Sequence, residues 1–131
     1  MKRLILALAA GVAMTSFAYA ADPVKAVDTS LGKVMADMNG MVLYIWDKDT
    51  KGAAKSACVD KCIAAWPPFI APATAKAEGK FTIVDGLDKD GKTPVKMWAY
   101  DGWPLYYYVK DTKPMEVTGD MVGNTWHVVK M

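Results

Sequence analysis

One histidine and two cysteines among 131 residues leave little material for catalysis or metal binding. The lone His127 has no nucleophile elbow or related spacing around it to suggest a Ser-His-Asp or Cys-His site. Cys58 and Cys62 are separated by three residues, so the CxxC of thioredoxin-like redox sites and the CxxCH of haem attachment are both missing. Asp88-Lys89-Asp90-Gly91 has the look of a calcium loop. Aligning Gly91 with that loop's invariant glycine, however, puts Gly86 first and Met97 twelfth, where Asp and Glu belong. Charge of one sign is scarce as well. Sixteen Lys and Arg stand against 14 Asp and Glu, and the counts become equal once Lys2 and Arg3 are set aside. No basic block remains for nucleic acid or an anionic membrane surface. After residue 20 no apolar run approaches the roughly 20 residues of a membrane-spanning helix.

What is present begins with an export signal. Lys2 and Arg3 precede an apolar run from Leu4 to Ala13, and a more polar stretch ends in Ala18-Tyr19-Ala20. That order of charge, apolar core and small residues predicts a secretory signal over residues 1–20, cleaved after Ala20. The expectation is a periplasmic or secreted protein, with 21–131 forming a single domain and both cysteines meeting an oxidising compartment.

The chain also repeats itself. Residues 40–51 read GMVLYIWDKDTK and residues 102–113 read GWPLYYYVKDTK. At one constant offset Gly40 falls on Gly102, Leu43 on Leu105, Tyr44 on Tyr106, Trp46 on Tyr108 and Asp49 on Asp111, and Met35 falls on Met97. The repeats extend over about 31–70 and 93–131. Each copy predicts a β-hairpin: Asn39-Gly40 and Asp101-Gly102 suit two-residue type I′ turns, and strong β-formers follow. Counting outward from the turns sets Met38 against Met41, Met35 against Tyr44, Tyr100 against Trp103 and Met97 against Tyr106. Pro104, which has no amide hydrogen, favours an edge at its strand. A short helix is expected within Ala57–Trp66, stopped by Pro67-Pro68. Ala71–Glu78 reads as helix or loop, Phe81–Val84 as a strand, Asp85–Thr93 as a polar loop and Thr125–Lys130 as a final strand. The fold class is mainly β: a small antiparallel domain built from two hairpin-containing repeats, with one or two short helices.

Both copies carry a Tyr-x-aromatic-x-x-Asp element, Tyr44-x-Trp46-x-x-Asp49 and Tyr106-x-Tyr108-x-x-Asp111. Cys58 and Cys62 precede Trp66-Pro67-Pro68, and Tyr100–Tyr107 reads YDGWPLYY. In these features the chain resembles the bacterial "secreted repeat of unknown function" family, predicted lipoproteins with a Yx(FWY)xxD motif. The resemblance implies an exported protein and no established activity. Many members place an acylated cysteine at the cleavage site. None stands there in this chain, so no membrane anchor is expected.

Four groups of residues remain as candidates for chemistry. Cys58 and Cys62 read first as a structural disulfide, with redox cycling and metal thiolates as alternatives. Residues four apart on a regular helix hold their Cβ atoms about 5–6 Å apart, whereas a disulfide wants roughly 3.5–4.5 Å, so bonding requires a departure from ideal helix. Met35, Met38 and Met41 invite a copper(I) reading, because thioethers are soft ligands. In the expected hairpin Met35 lies on the face opposite Met38 and Met41, which leaves Met38, Met41 and His127 as the alternative metal set. Tyr100, Trp103 and Tyr107 form a candidate ligand surface for a glycan or an envelope protein. Asp49 and Asp111 are expected to fix the turns after their strands. The functional expectation is a non-enzymatic binding or envelope-structural module, with a periplasmic copper-binding or thiol-redox accessory protein as the alternative.

Overall fold

The computed structural model describes residues 22–131; the expected signal segment and its cleavage point lie outside them. Each repeat opens with a hairpin. In the first, β1 (Lys25–Thr29) pairs antiparallel with β2 (Gly32–Ala36), and the chain returns through β3 (Tyr44–Trp46). In the second, β4 (Phe81–Leu87) pairs with β5 (Pro94–Tyr100), and the chain returns through β6 (Trp103–Pro104). Between them lies one short helix, α1 (Lys61–Ala65), inside the expected span and followed by Pro67-Pro68. A single 3₁₀ turn (Val122–Asn124) precedes the last strand, β7 (Trp126–Val128). Residues 71–78 contain no helix. The strand expected at Phe81–Val84 runs on to Leu87, so the polar loop there begins only at Asp88.

The two hairpin tips differ, and the difference sets the register. At the second tip Asp101 and Gly102 both take positive φ (50° and 87°), the type I′ turn expected, with Tyr100 opposite Trp103. Leu105 N donates to Trp98 O at 3.0 Å, which continues the pairing toward Met97 and Tyr106. β6 is an edge strand, as Pro104 requires. The first tip departs from expectation. Gly40 N donates to Asp37 O (3.0 Å) and Asp37 N to Met41 O (2.9 Å), so three residues, Met38, Asn39 and Gly40, make the turn. Of these only Gly40 has positive φ (89°), the pattern of a type I turn closed by a left-handed glycine. The cause is the Asp37 side chain: its Oδ1 accepts from the amides of both Asn39 and Met41 at 2.9 Å and so favours the wider turn.

A one-residue change of register exchanges the faces of a strand. The expected opposition of Met38 with Met41 and of Met35 with Tyr44 is therefore corrected. Ala36 bridges Val42, and Leu43 N donates to Met35 O. Met35 packs with Leu43 in one core cluster, while Tyr44 lies in the other. The structural counterpart of Met97 is Val34, and that of Met35 is Trp98.

The end of each repeat crosses over to the other. Residues 126–131 pair with the first hairpin: Tyr44 opposes Val128, Trp46 opposes Trp126, and Met35 N donates to Val129 O. Residues 67–71 pair with the second: Pro68 bridges Tyr106, Ile70 bridges Met97, and Trp98 N donates to Phe69 O. Where the hairpins meet, Tyr44 and Tyr106 exchange both backbone hydrogen bonds, at 2.8 and 3.0 Å. The molecule thus has an approximate twofold relation through that pair. Strand alternation sends Val34, Val42, Tyr44, Met97, Ala99 and Tyr106 into one cluster, and Met35, Leu43, Trp98 and Leu105 into the second.

Candidate functional site: tyrosine–aspartate exchange and an aromatic column

The six residues of the repeated Tyr-x-aromatic-x-x-Asp element come together around the twofold relation, and each tyrosine reaches the aspartate of the other repeat. The Tyr44 hydroxyl donates to Asp111 Oδ2 at 2.5 Å, and the Tyr106 hydroxyl donates to Asp49 Oδ2 at 2.7 Å. The second oxygen of each carboxylate closes a loop of its own repeat. Asp49 Oδ1 accepts from Ala57 N at 2.8 Å; Asp111 Oδ1 accepts from Thr118 N at 3.0 Å and from the Thr118 hydroxyl. The two aspartates do fasten the segments after their strands, and they also tie the repeats together, a role absent from the sequence reading. Each phenol oxygen accepts one bond as well. Gly119 N donates to the Tyr44 oxygen at 3.2 Å. Ser56 Oγ lies 2.6 Å from that of Tyr106 and, because Tyr106 donates to Asp49, serves as the donor there. Ser56 in turn accepts from Cys58 N.

All four side chains are buried, and burial displaces the titration of Tyr44, Tyr106 and Asp49. Burial, reinforced by the hydrogen bond to Asp111, pushes the Tyr44 phenol well above its ordinary value. Burial and the charge of Asp49 do the same to Tyr106. Burial raises the Asp49 carboxyl too, against the opposing pull of its bonds from Ala57 and Tyr106. Tyr107 adds a third pairing, donating to Asp37 Oδ2 at 2.7 Å, and burial followed by that bond raises its phenol. Asp37 therefore both shapes the first hairpin tip and anchors a tyrosine of the second repeat.

The aromatic positions of the motif belong to a stack of four rings. Trp46 stacks on Trp126 (centroids 5.1 Å, planes 10° apart), Trp126 on Trp66 (3.8 Å, 3°) and Trp66 on Tyr108 (4.1 Å, 20°). The two motif tyrosines meet this column edge-on, Tyr44 against Trp66 at 5.4 Å and Tyr106 against Trp126 at 5.2 Å. These are the offset-stacked and T-shaped arrangements that ring quadrupoles favour. Trp66 and Trp126 are buried, and the end rings Trp46 and Tyr108 are partly exposed. Gly119 lets the rings close up: a Cβ there would stand 2.9 Å from each of Trp66, Tyr108 and Tyr44. The sequence reading named Trp66 only before Pro67-Pro68 and Trp126 only within the final strand, although each stands at the head of the crossing segment of its repeat. That shared place is the signal that would have found them.

The remaining candidates fall as follows. Cys58 and Cys62 form a disulfide with Cα atoms 5.3 Å apart. As the geometry demanded, Cys58 lies ahead of α1, and Asp60 between them takes a positive φ of 53°. Met38 is exposed at the first hairpin tip, with Met41 half-buried beside it. His127 stands in β7 opposite Ile45, its Nε2 2.7 Å from Asp47 Oδ2. Ile45 is four residues from Met41, about 13 Å along extended chain, so the fold does not gather Met38, Met41 and His127 into a ligand set. Among the described residues no group of three or more His, Cys, Asp and Glu is arranged to hold a metal. Of the candidate ligand surface, Tyr100 and Trp103 face each other across the second tip. Tyr100 leans on Phe81 at 5.1 Å, with the Lys80 ammonium 6.0 Å over its ring, while Tyr107 turns its hydroxyl to Asp37 and meets Phe69 edge-on. On the far side of Phe81 is an open cleft of about 410 Å³, lined by Pro23, Pro72, Ala75, Phe81 and Trp98, with Asp22, Lys76 and Glu78 beside them.

Two interlocked β-hairpin repeats joined by exchanged Tyr–Asp bonds, with one local disulfide in the first, define the class: a β-repeat domain stabilised through its own motif. Comparison with known families makes this specific. The pattern of the family described as a secreted repeat of unknown function matches residues 25–70 and 88–130, and the chain belongs to that family. It is a secreted β-repeat protein. No curated protein and no solved structure matches it.

Proposed function

We propose that the protein is a non-enzymatic binding module of the bacterial envelope, acting in the periplasm or outside the cell after cleavage following Ala20. One observation carries this reading: the polar groups of the family motif are spent internally. Tyr44, Tyr106, Asp49 and Asp111 bond to one another and to nearby loops and are buried, which leaves none of these four groups free to act on a substrate. Binding capacity then belongs to the surface. The cleft of about 410 Å³ beside Phe81 and Trp98 offers apolar walls with Asp22, Lys76 and Glu78 within reach of a ligand. Tyr100 and Trp103 extend the aromatic surface past Phe81. Apolar lining with a few charged groups suits a small ligand or a short polymer segment, and a soluble cell-wall fragment is the ligand class we would try first.

Titration of the isotopically labelled, periplasm-purified protein with soluble muropeptides and oligosaccharides tests the proposal by NMR. Shifts confined to the Trp98 indole, Phe81, Ala75 and Trp103, with the ligand recovered chemically unchanged, support it. Turnover of the ligand, or the absence of shifts at these residues at millimolar ligand, would sink it.

A further inference from the structure

We propose that the four-ring column is a one-electron relay, carrying oxidising equivalents from the exposed edge of Trp46 to tyrosines held by carboxylates. Three features beyond good packing point to it. The first is continuity: each ring of Trp46, Trp126, Trp66 and Tyr108 lies face to face with the next, the buried pair at 3.8 Å. Indole and phenol are the protein side chains that lose one electron most readily without a metal, and transfer between rings in van der Waals contact is fast. The second is access. Both ends of the column are partly exposed and its middle is buried, so an electron can leave at the surface while the interior rings stay shielded from water. The third is the presence of proton acceptors. A tyrosine loses an electron easily only if its proton has somewhere to go. Tyr44 sits edge-on to Trp66 with its hydroxyl 2.5 Å from Asp111 Oδ2, and Tyr106 sits edge-on to Trp126 with its hydroxyl 2.7 Å from Asp49 Oδ2.

The steps balance as follows. A one-electron oxidant, such as a free radical or an oxidised metal complex, takes an electron from Trp46 and leaves an indole radical cation. An electron from Trp126 refills Trp46, and one from Trp66 refills Trp126. Tyr44 refills Trp66 while its phenolic proton passes to the Asp111 carboxylate, giving a neutral tyrosyl radical and a protonated carboxyl. A one-electron reductant, such as a thiol or ascorbate, then returns one electron and the proton goes back to the phenol. The net reaction moves one electron from reductant to oxidant and leaves the protein unchanged. This activity is independent of any ligand in the cleft beside Phe81.

The test places a ruthenium polypyridyl photo-oxidant on Lys48→Cys, an exposed site two residues from Trp46, and follows indole and phenoxyl radicals by transient absorption after flash-quench oxidation. The expected result is an indole radical that decays into a phenoxyl radical at a rate independent of protein concentration. Trp126→Phe, which keeps a ring in the column but removes its oxidisable indole, should slow that conversion by more than an order of magnitude. Met115→Leu, which removes an exposed thioether outside the column, should leave it unchanged. Equal rates in the two variants would overturn the proposal. Should Trp126→Phe fail to fold, polyfluorinated tryptophan throughout the chain preserves ring shape and is harder to oxidise. A conversion that it does not slow would overturn the proposal as well.

Discussion

Removing the Tyr44 hydroxyl is the sharpest test of the reciprocal exchange. Tyr44→Phe keeps the ring against Trp66 and deletes one oxygen, which donates to Asp111 and accepts from Gly119 N. Tyr44 and Asp111 are buried, so water does not replace what is lost. A hydrogen bond to a charged group contributes about 1.5–3 kcal/mol, and a buried amide left without an acceptor costs about 1 kcal/mol or more, which together give a loss of about 3 kcal/mol. For a domain of this size the melting temperature should fall by about 12 °C. Asp111→Asn, which keeps the shape and weakens the pair, should cost about 2 kcal/mol. The double variant should lose less than the two single losses combined, with a coupling of about 1.5 kcal/mol. Urea unfolding followed by tryptophan fluorescence, with unchanged slopes, gives all four corners of the cycle. Because the arrangement is nearly symmetric, Tyr106→Phe with Asp49→Asn should give a similar coupling. Additivity within about 0.5 kcal/mol in either cycle would show that the exchanged bonds do not hold the repeats together.

Four other outcomes follow from the same geometry. Burial holds the phenols of Tyr44, Tyr106 and Tyr107 above their ordinary value, so the folded chain keeps three protons that the unfolded chain releases; stability should be full below pH ~10 and then fall by about 1.4 kcal/mol per pH unit for each of them. Urea midpoints measured between neutral and strongly alkaline pH should show that decline, and Tyr44→Phe with Tyr106→Phe should remove about two-thirds of it, leaving the share of Tyr107. The parallel Trp66 and Trp126 indoles should give an exciton couplet in circular dichroism that Trp126→Phe abolishes, and a spectrum indistinguishable from the variant's would refute the stack. Gly119→Ala, whose methyl would press on three rings at once, should destabilise by about 1–3 kcal/mol in thermal melts. Replacing both cysteines by serine should cost only about 2 kcal/mol, since the ring they close is short, and intact mass without reductant should show the bond in the native chain.

Local chemistry was legible in the sequence wherever it was sufficient by itself. Asp101-Gly102 specified its own turn, Pro104 its edge position, and the cysteine spacing a departure from regular helix wherever the two are bonded. The first hairpin defeated the same reasoning because Asn39-Gly40 is an equally good two-residue turn on backbone grounds. The deciding atom, Asp37 Oδ1, sits outside that dipeptide and selects the three-residue tip. Met35 then faces Leu43 instead of Tyr44, and the match of Met35 with Met97 by number parts from their match in space. The exchanged bonds were beyond reach for another reason: Tyr44 and Asp111 are 67 residues apart, and Tyr106 and Asp49 are 57 apart. Repetition shows that two residues recur together without showing that each serves the other copy. A tyrosine and an aspartate five positions apart along an extended segment point away from each other, and that mismatch was the available hint.

Crossing segments also govern when the chain can acquire its structure. The first hairpin lacks its neighbouring strand until residues 126–131 exist, and residues 67–71 have no sheet to join until β5 and β6 are made. The second half has its strands by about Val109, whereas synthesis runs to within a few residues of the end before the first half can close, and the pairings that close both are the distant ones that form slowly. Until then the first half is an open hairpin. For a secreted protein this order has a use: the strand that locks the two halves together is the last to be made, so the first half stays open while the rest of the chain is delivered.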